Sequence, residues 1–101
     1  MIFRNFTPHE IKLNDGRNFP SIGVARVSAT FTNFDTDGIC RQEFGEVKGL
    51  PAPEKGVKLI VSAMVLSASD RDDLVAPATG HPETKRNEKG HIVSVPGFVG
   101  K

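Results

Sequence analysis

A chain of 101 residues makes one ordinary domain with a modest core. Its 13 basic and 12 acidic side chains nearly cancel, leaving a net charge of +1. That balance argues against a domain living on phosphate backbones and against an acidic mimic of nucleic acid, so a nucleic-acid partner is not expected. Cys40, the single cysteine, can form no intramolecular disulfide, and no apolar run reaches the roughly 18 residues of a membrane span. With no signal-peptide pattern over Met1 to Glu10, the expectation is a soluble protein of a reducing cytoplasm.

Glycine and proline divide the chain into short segments, a spacing that predicts strands and turns rather than long helices. The first strands fall at Ile2 to Phe6 and Glu10 to Leu13, separated by Thr7-Pro8 and followed by a turn at Asn14-Asp15-Gly16. The clearest element is a hairpin around Asp37-Gly38. Val27, Ala29 and Phe31 alternate with polar residues before it, and Ile39 to Val47 returns after it. A two-residue loop would set Phe31 opposite Phe44, whereas a four-residue loop from Asp35 to Gly38 would pair Phe34 with Ile39. Gly45 marks a candidate bulge in the return strand.

Past the Pro51/Pro53 connection, Val57 to Ser62 is apolar and β-branched, the pattern of a buried strand. Ala63 to Ser69 favours one or two helical turns, with Ser62 placed to cap them. Leu74 to Ala76 is a short extended piece. Glu83 to Arg86 and His91 to Val95 form a second hairpin around Asn87 to Gly90, and Gly97 to Lys101 is expected to fray. All seven aromatics are Phe; they have no polar handle and are the large core candidates: Phe3, Phe6, Phe19, Phe31, Phe34, Phe44 and Phe98.

Chemistry-bearing patterns are sparse. His9, His81 and His91 lack a second ligand at metal spacing, so no metal and no cofactor is expected. No serine stands in a nucleophile elbow, and there is no Walker or dinucleotide loop. Arg71 carries a donor fork suited to carboxylate or phosphate, yet lies among Asp70, Asp72 and Asp73, so a local ion pair competes with ligand binding. Arg26, inside a strong strand, either faces solvent or turns inward against a carboxylate. Lys85, Arg86, Lys89 and His91 give the second hairpin a basic face, and Thr79-Gly80-His81 could present main-chain N–H groups to an anion.

Asn5-Phe6-Thr7-Pro8-His9 resembles the Asn-Leu-Thr-Pro-His opening of a group of small bacteriophage and prophage proteins. The likeness continues in order through Val24 to Val27, Gly49 to Pro51, Ile60 to Ala63, Arg71 to Pro77 and Arg86 to Ile92. Related sequences often carry Tyr before the Ile-Val-Ser piece and Asp after the late Arg, where this chain has Lys58-Leu59 and Asn87. The resemblance implies a phage or prophage setting. It supplies no reaction.

The expected fold is mainly β, a small antiparallel sheet or barrel of about six or seven short strands with one short helix. Parallel pairing is not expected, because helix-length crossovers are missing. The expected function is non-enzymatic binding in the host cell: an anti-defence protein that occupies a host protein or sequesters a small, anionic signal molecule. A small enzyme acting on a nucleotide or phosphorylated metabolite is the alternative, with Thr79, His81, Arg71 and Arg86 converging on substrate and His9 or His81 as general acid–base. The candidate ligand-binding residues are Arg26, Ser62, Arg71, Asp73, Thr79 and Arg86, and an oligomer is compatible with either function.

Overall fold

The computed structural model describes residues 1–100. Ten short strands and one helix run in the order β1 (Ile2–Asn5), β2 (Ile11–Lys12), β3 (Asn18–Phe19), β4 (Arg26–Phe31), β5 (Gln42–Lys48), β6 (Val57–Ile60), α1 (Ala63–Ala68), β7 (Leu74–Pro77), β8 (Lys85–Arg86), β9 (Ile92–Ser94) and β10 (Phe98–Val99). Among the described residues the fold is mainly β with one short helix, in several small sheets and with no closed barrel. No helix among the described residues is long and apolar enough to cross a membrane.

The central sheet has the order β1-β6-β7-β10. The three two-stranded sheets are antiparallel, but the expectation of no parallel pairing fails in the central sheet: β1 pairs with β6 and β6 with β7 in parallel, and only β10 runs against β7. The crossover that the sequence pattern hides is the connection of residues 61–73. It contains a helix of only 6 residues, yet this length meets the dozen or so that a parallel return needs. Ser62 caps that helix by accepting a hydrogen bond from the Val65 main-chain N–H at 3.3 Å.

Alternation along the central strands sends side chains into two cores. Leu59, Val61, Leu74 and Ala76 face one side, where Val65 and Leu66 of α1 pack with Ala25. Ile60 and Val75 face the other, against Ile11, Leu13 and Val95. A sheet buried on both faces requires near-continuous apolar strands, which the runs Leu59-Ile60-Val61 and Leu74-Val75-Ala76 supply. Phe3, Phe19 and Phe98 close the second core, their ring centroids 5.0 to 5.9 Å apart. Phe98 thus holds β10 in place, so residues 97–100 are not frayed; Lys101 lies outside the described residues.

The hairpin β4–β5 turns through Asp35 to Gly38, the four-residue alternative. Asp35 Oδ1 accepts from the Asp37 and Ile39 N–H groups, and Gly38 takes φ +80°. Its register sets Ala29 opposite Phe44 and Phe31 opposite Gln42, and the extra residue of the bulge falls at Gly45-Glu46. The hairpin leaves the body, so Phe31, Phe34 and Phe44 are exposed and are not core residues. Periodicity finds the apolar face of a strand, but whether that face reaches the core depends on where the body ends.

Candidate functional site

The chain turns sharply after β1, and one side chain organises the turn. Asn5 is 1% exposed. Its Oδ1 accepts from the Thr7 main-chain N–H at 2.8 Å, and its Nδ2 donates to the carbonyls of His9 and Phe19, both at 2.8 Å. Thr7 Oγ1 lies 2.6 Å from Asn5 Oδ1 and 3.0 Å from the His9 carbonyl; its one proton serves the shorter contact. Pro8 restricts the backbone on both sides of Thr7-Pro8. The Asn5-x-Thr7-Pro8-His9 pattern is therefore a clamp. It carries His9 out of the sheet with its imidazole unpaired among the described residues.

That turn forms one wall of an open cleft of about 520 Å³. Its second wall is Ser62 and Ala63, where β6 passes into α1; the third is Pro77 and Thr79, at the end of β7 and just after it; and Ile92 to Val95, on β9 and just beyond, close it. Three of the four walls lie at the carboxyl ends of the parallel strands β1, β6 and β7. In open sheets with parallel strands, ligands bind in the crevice beyond those ends, because the loops there diverge while the strands hold them in register. The volume falls within the roughly 300–1,000 Å³ of small-molecule sites. Ile11, Pro8, Pro77, Ile92, Val93 and Val95 make the walls mostly apolar, and His9, Ser62, Thr79 and Ser94 supply the polar points.

The β8–β9 ribbon is tied to the body by polar links. Ser94 Oγ donates to Asn14 Oδ1 at 2.6 Å, Asn14 Nδ2 donates to the Glu83 carbonyl at 2.9 Å, and Leu13 bridges to Val95. Net charge within the cleft is small. Lys12 Nζ stands 3.9 Å from Glu10 Oε1, so the one ammonium on the wall already faces a carboxylate.

Of the six residues singled out from the sequence, Ser62 and Thr79 line this cleft and the other four do not. Arg26 is exposed on β4, in register with Lys48. Arg86 works close by but on the main chain: its Nη1 donates to the Gly90 carbonyl at 3.1 Å and its Nη2 to the Thr79 carbonyl at 3.2 Å, which steadies the Thr79 loop. His81 also stays outside, its Nδ1 accepting from the Glu83 N–H, so Thr79, His81, Arg71 and Arg86 do not meet at one point. Sequence reasoning named His9 only as a general acid–base of the enzymatic alternative and missed Lys12 and Ser94 as cleft residues. The available signal was an Asn at a strand end with Thr two residues on and then Pro, which reads as a side-chain-capped turn.

Arg71 and Asp73 form a two-pronged pair, Nε to Oδ1 at 2.9 Å and Nη2 to Oδ2 at 2.7 Å. It sits at the amino end of β7, about 13 Å along the strand from the cleft. The hydrogen bonds from Arg71 hold the Asp73 carboxyl below its ordinary pKa against the opposing effect of burial, and the same bonds raise Arg71. A carboxyl whose folded pKa is depressed stabilises the fold above its unfolded pKa of about 3.9, and that contribution is lost as pH falls through the lower folded value. The pair is partly solvated, so Asp73→Asn is expected to cost about 1 kcal/mol at pH 7. The gap between the urea midpoints of the two proteins should narrow as pH falls below the unfolded carboxyl pKa and close once the folded carboxyl is protonated as well; a gap that does not narrow on acidification would contradict the pairing.

Comparison with protein-family models, curated proteins and solved structures finds no match. The chemistry of the cleft itself therefore carries the functional reading. Among the described residues, no three His, Cys, Asp or Glu side chains gather as a metal site.

Proposed function

We propose that this chain is a non-enzymatic binding protein of a phage or prophage that sequesters a small signal molecule of the host in the cleft beyond β1, β6 and β7. The observation that carries this reading is the convergence of His9, Ser62 and Thr79, from three separate chain segments, on one apolar-walled cleft. Segments bearing the phage-like resemblance contribute to all four walls: Thr7 to His9, Ser62-Ala63, Pro77 and Ile92. In the host cytoplasm, the setting this reading assigns, the lone thiol of Cys40 stays reduced.

The ligand has an apolar body, most simply a ring between Ile11, Pro77 and Ile92, and hydrogen-bonding groups that reach Ser62 Oγ, Thr79 Oγ1 and the His9 imidazole. Any anionic group would meet only His9 and Lys12. A polyphosphate has no arginine to receive it, because Arg71 is committed to Asp73 and Arg86 to two carbonyls. This favours a nucleoside-like or singly charged ligand. An enzymatic role would need a histidine hydrogen-bonded to a second titratable group, and His9 has none among the described residues.

Calorimetric titration with nucleobases, nucleosides and cyclic and linear mononucleotides tests the proposal. At least one class should bind with a Kd in the micromolar range or tighter. His9→Gln and Thr79→Val should each weaken that binding by about five- to tenfold while the fold is kept. Arg71→Ala should leave it unchanged. Absence of heat from the whole panel, or binding indifferent to both cleft variants, overturns the reading.

A further inference from the structure

The hairpin β4–β5 stands apart from the body as an arm. The radius of gyration is 15.5 Å, against about 13 Å for a compact chain of this length. The arm forms its own two-stranded sheet, so both strands are edges. The two edges are not alike. β5 carries a bulge and the charges Glu43, Glu46 and Lys48, the devices by which sheets discourage further pairing. From Val27 to Phe34 the β4 edge has no charge, no proline and no bulge residue.

We infer that the β4 edge pairs antiparallel with the β4 edge of a second copy of this chain. Thr32 N–H donates to the Arg41 carbonyl, so Thr32 and Thr30 point their main-chain groups at β5, and Ala29 and Phe31 point theirs away. In a symmetric pair centred on Thr30, Ala29 of each copy hydrogen-bonds with Phe31 of the other. Side-chain size then fits. Phe44 lies opposite Ala29 within the arm, so the Phe31 ring of the second copy falls just beyond the small Ala29 and meets Phe44 across it. Those two rings are 67% and 39% exposed in the single chain. Charge fits as well, since antiparallel pairing brings the Arg26 end of each edge to the Asp35 end of the other. A two-stranded ribbon is marginal by itself, and the pair makes it a four-stranded sheet.

Across the pair the four rings contribute about 400 Å² of apolar area, and the eight-residue edges bring the interface toward the roughly 1,000–1,200 Å² of weak, reversible association. Sedimentation measured from about 5 to 500 µM should therefore show a monomer–dimer equilibrium with a Kd of tens of micromolar. Ala29→Pro removes an outward N–H without touching the β4–β5 ladder, and Phe31→Lys places a charge on the edge. Both should weaken dimerisation by about tenfold or more. Phe31→Lys should keep the melting temperature of the dilute protein, which guards against a misfolded Ala29→Pro. A monomer at every concentration, or a dimer that survives both substitutions, overturns the inference. Neither result bears on ligand binding in the cleft.

Discussion

Asn5→Ala is expected to destabilise the fold by about 3 kcal/mol or more and to lower the melting temperature by about 12 °C or more. The side chain is small and makes little apolar contact; its effect comes from the four groups it satisfies. Without it the Thr7 N–H and hydroxyl lose their acceptor, and the carbonyls of His9 and Phe19 lose their donor. Each group left unpaired in a buried or part-buried place costs about 1–3 kcal/mol; Thr7 Oγ1 and the His9 carbonyl can still pair with each other, which leaves the Thr7 N–H and the Phe19 carbonyl to carry the penalty. Asn5→Asp separates the acceptor role from the donor role. It keeps the oxygen for Thr7 but points a second oxygen at two carbonyls. Burial and those carbonyls disfavour the charged form, so the folded pKa of the new carboxyl rises above its unfolded value. Stability of this variant should fall as pH rises from about 4 to 7, a trend opposite to that of the Asp73 carboxyl. Thermal melts across that range give the check. If Asn5→Ala melts within about 3 °C of the parent, the clamp does not hold the turn.

The second large effect is expected at Leu74, which is 1% exposed among Val61, Val65 and Leu59. Leu74→Ala should cost about 3 kcal/mol, the sum of lost transfer energy and the cavity left between the sheet and α1. Phe31→Ala removes more carbon but should cost well under about 1 kcal/mol in the dilute protein, because that ring is already 67% in water. Urea denaturation of both variants decides whether burial or residue type governs stability. A Phe31→Ala penalty as large as that of Leu74→Ala would mean that the arm folds back onto the body.

Local signals were legible wherever the physics is local. The Ser62 cap, the short helix after it, a hairpin turn at Asp37-Gly38 (its loop length left open between two and four residues), the bulge at Gly45 and the Asn87 turn all arise from residues a few positions apart. The apolar run at Val57 to Ser62 announced a buried strand, which the structure forms over Val57–Ile60. These are matters of propensity, capping and turn chemistry, which the chain carries in each short segment.

Only the tertiary structure decided which strands became neighbours. β1 and β6 pair in parallel across more than fifty residues of intervening chain, and no local pattern fixes such a partner. Because the cleft is built at the carboxyl ends of β1, β6 and β7, its membership was equally hidden. Ser62 and Thr79 come together there, while the arginines that looked most like ligand contacts are taken by Asp73 and by main-chain carbonyls, or left on the arm. Sequence determined what each segment could do; the long-range pairing of buried strands determined which of those capacities face a common space. The physical reason is that sheet pairing satisfies backbone groups without regard to sequence distance, and burial chooses among the pairings by the apolar area they remove from water.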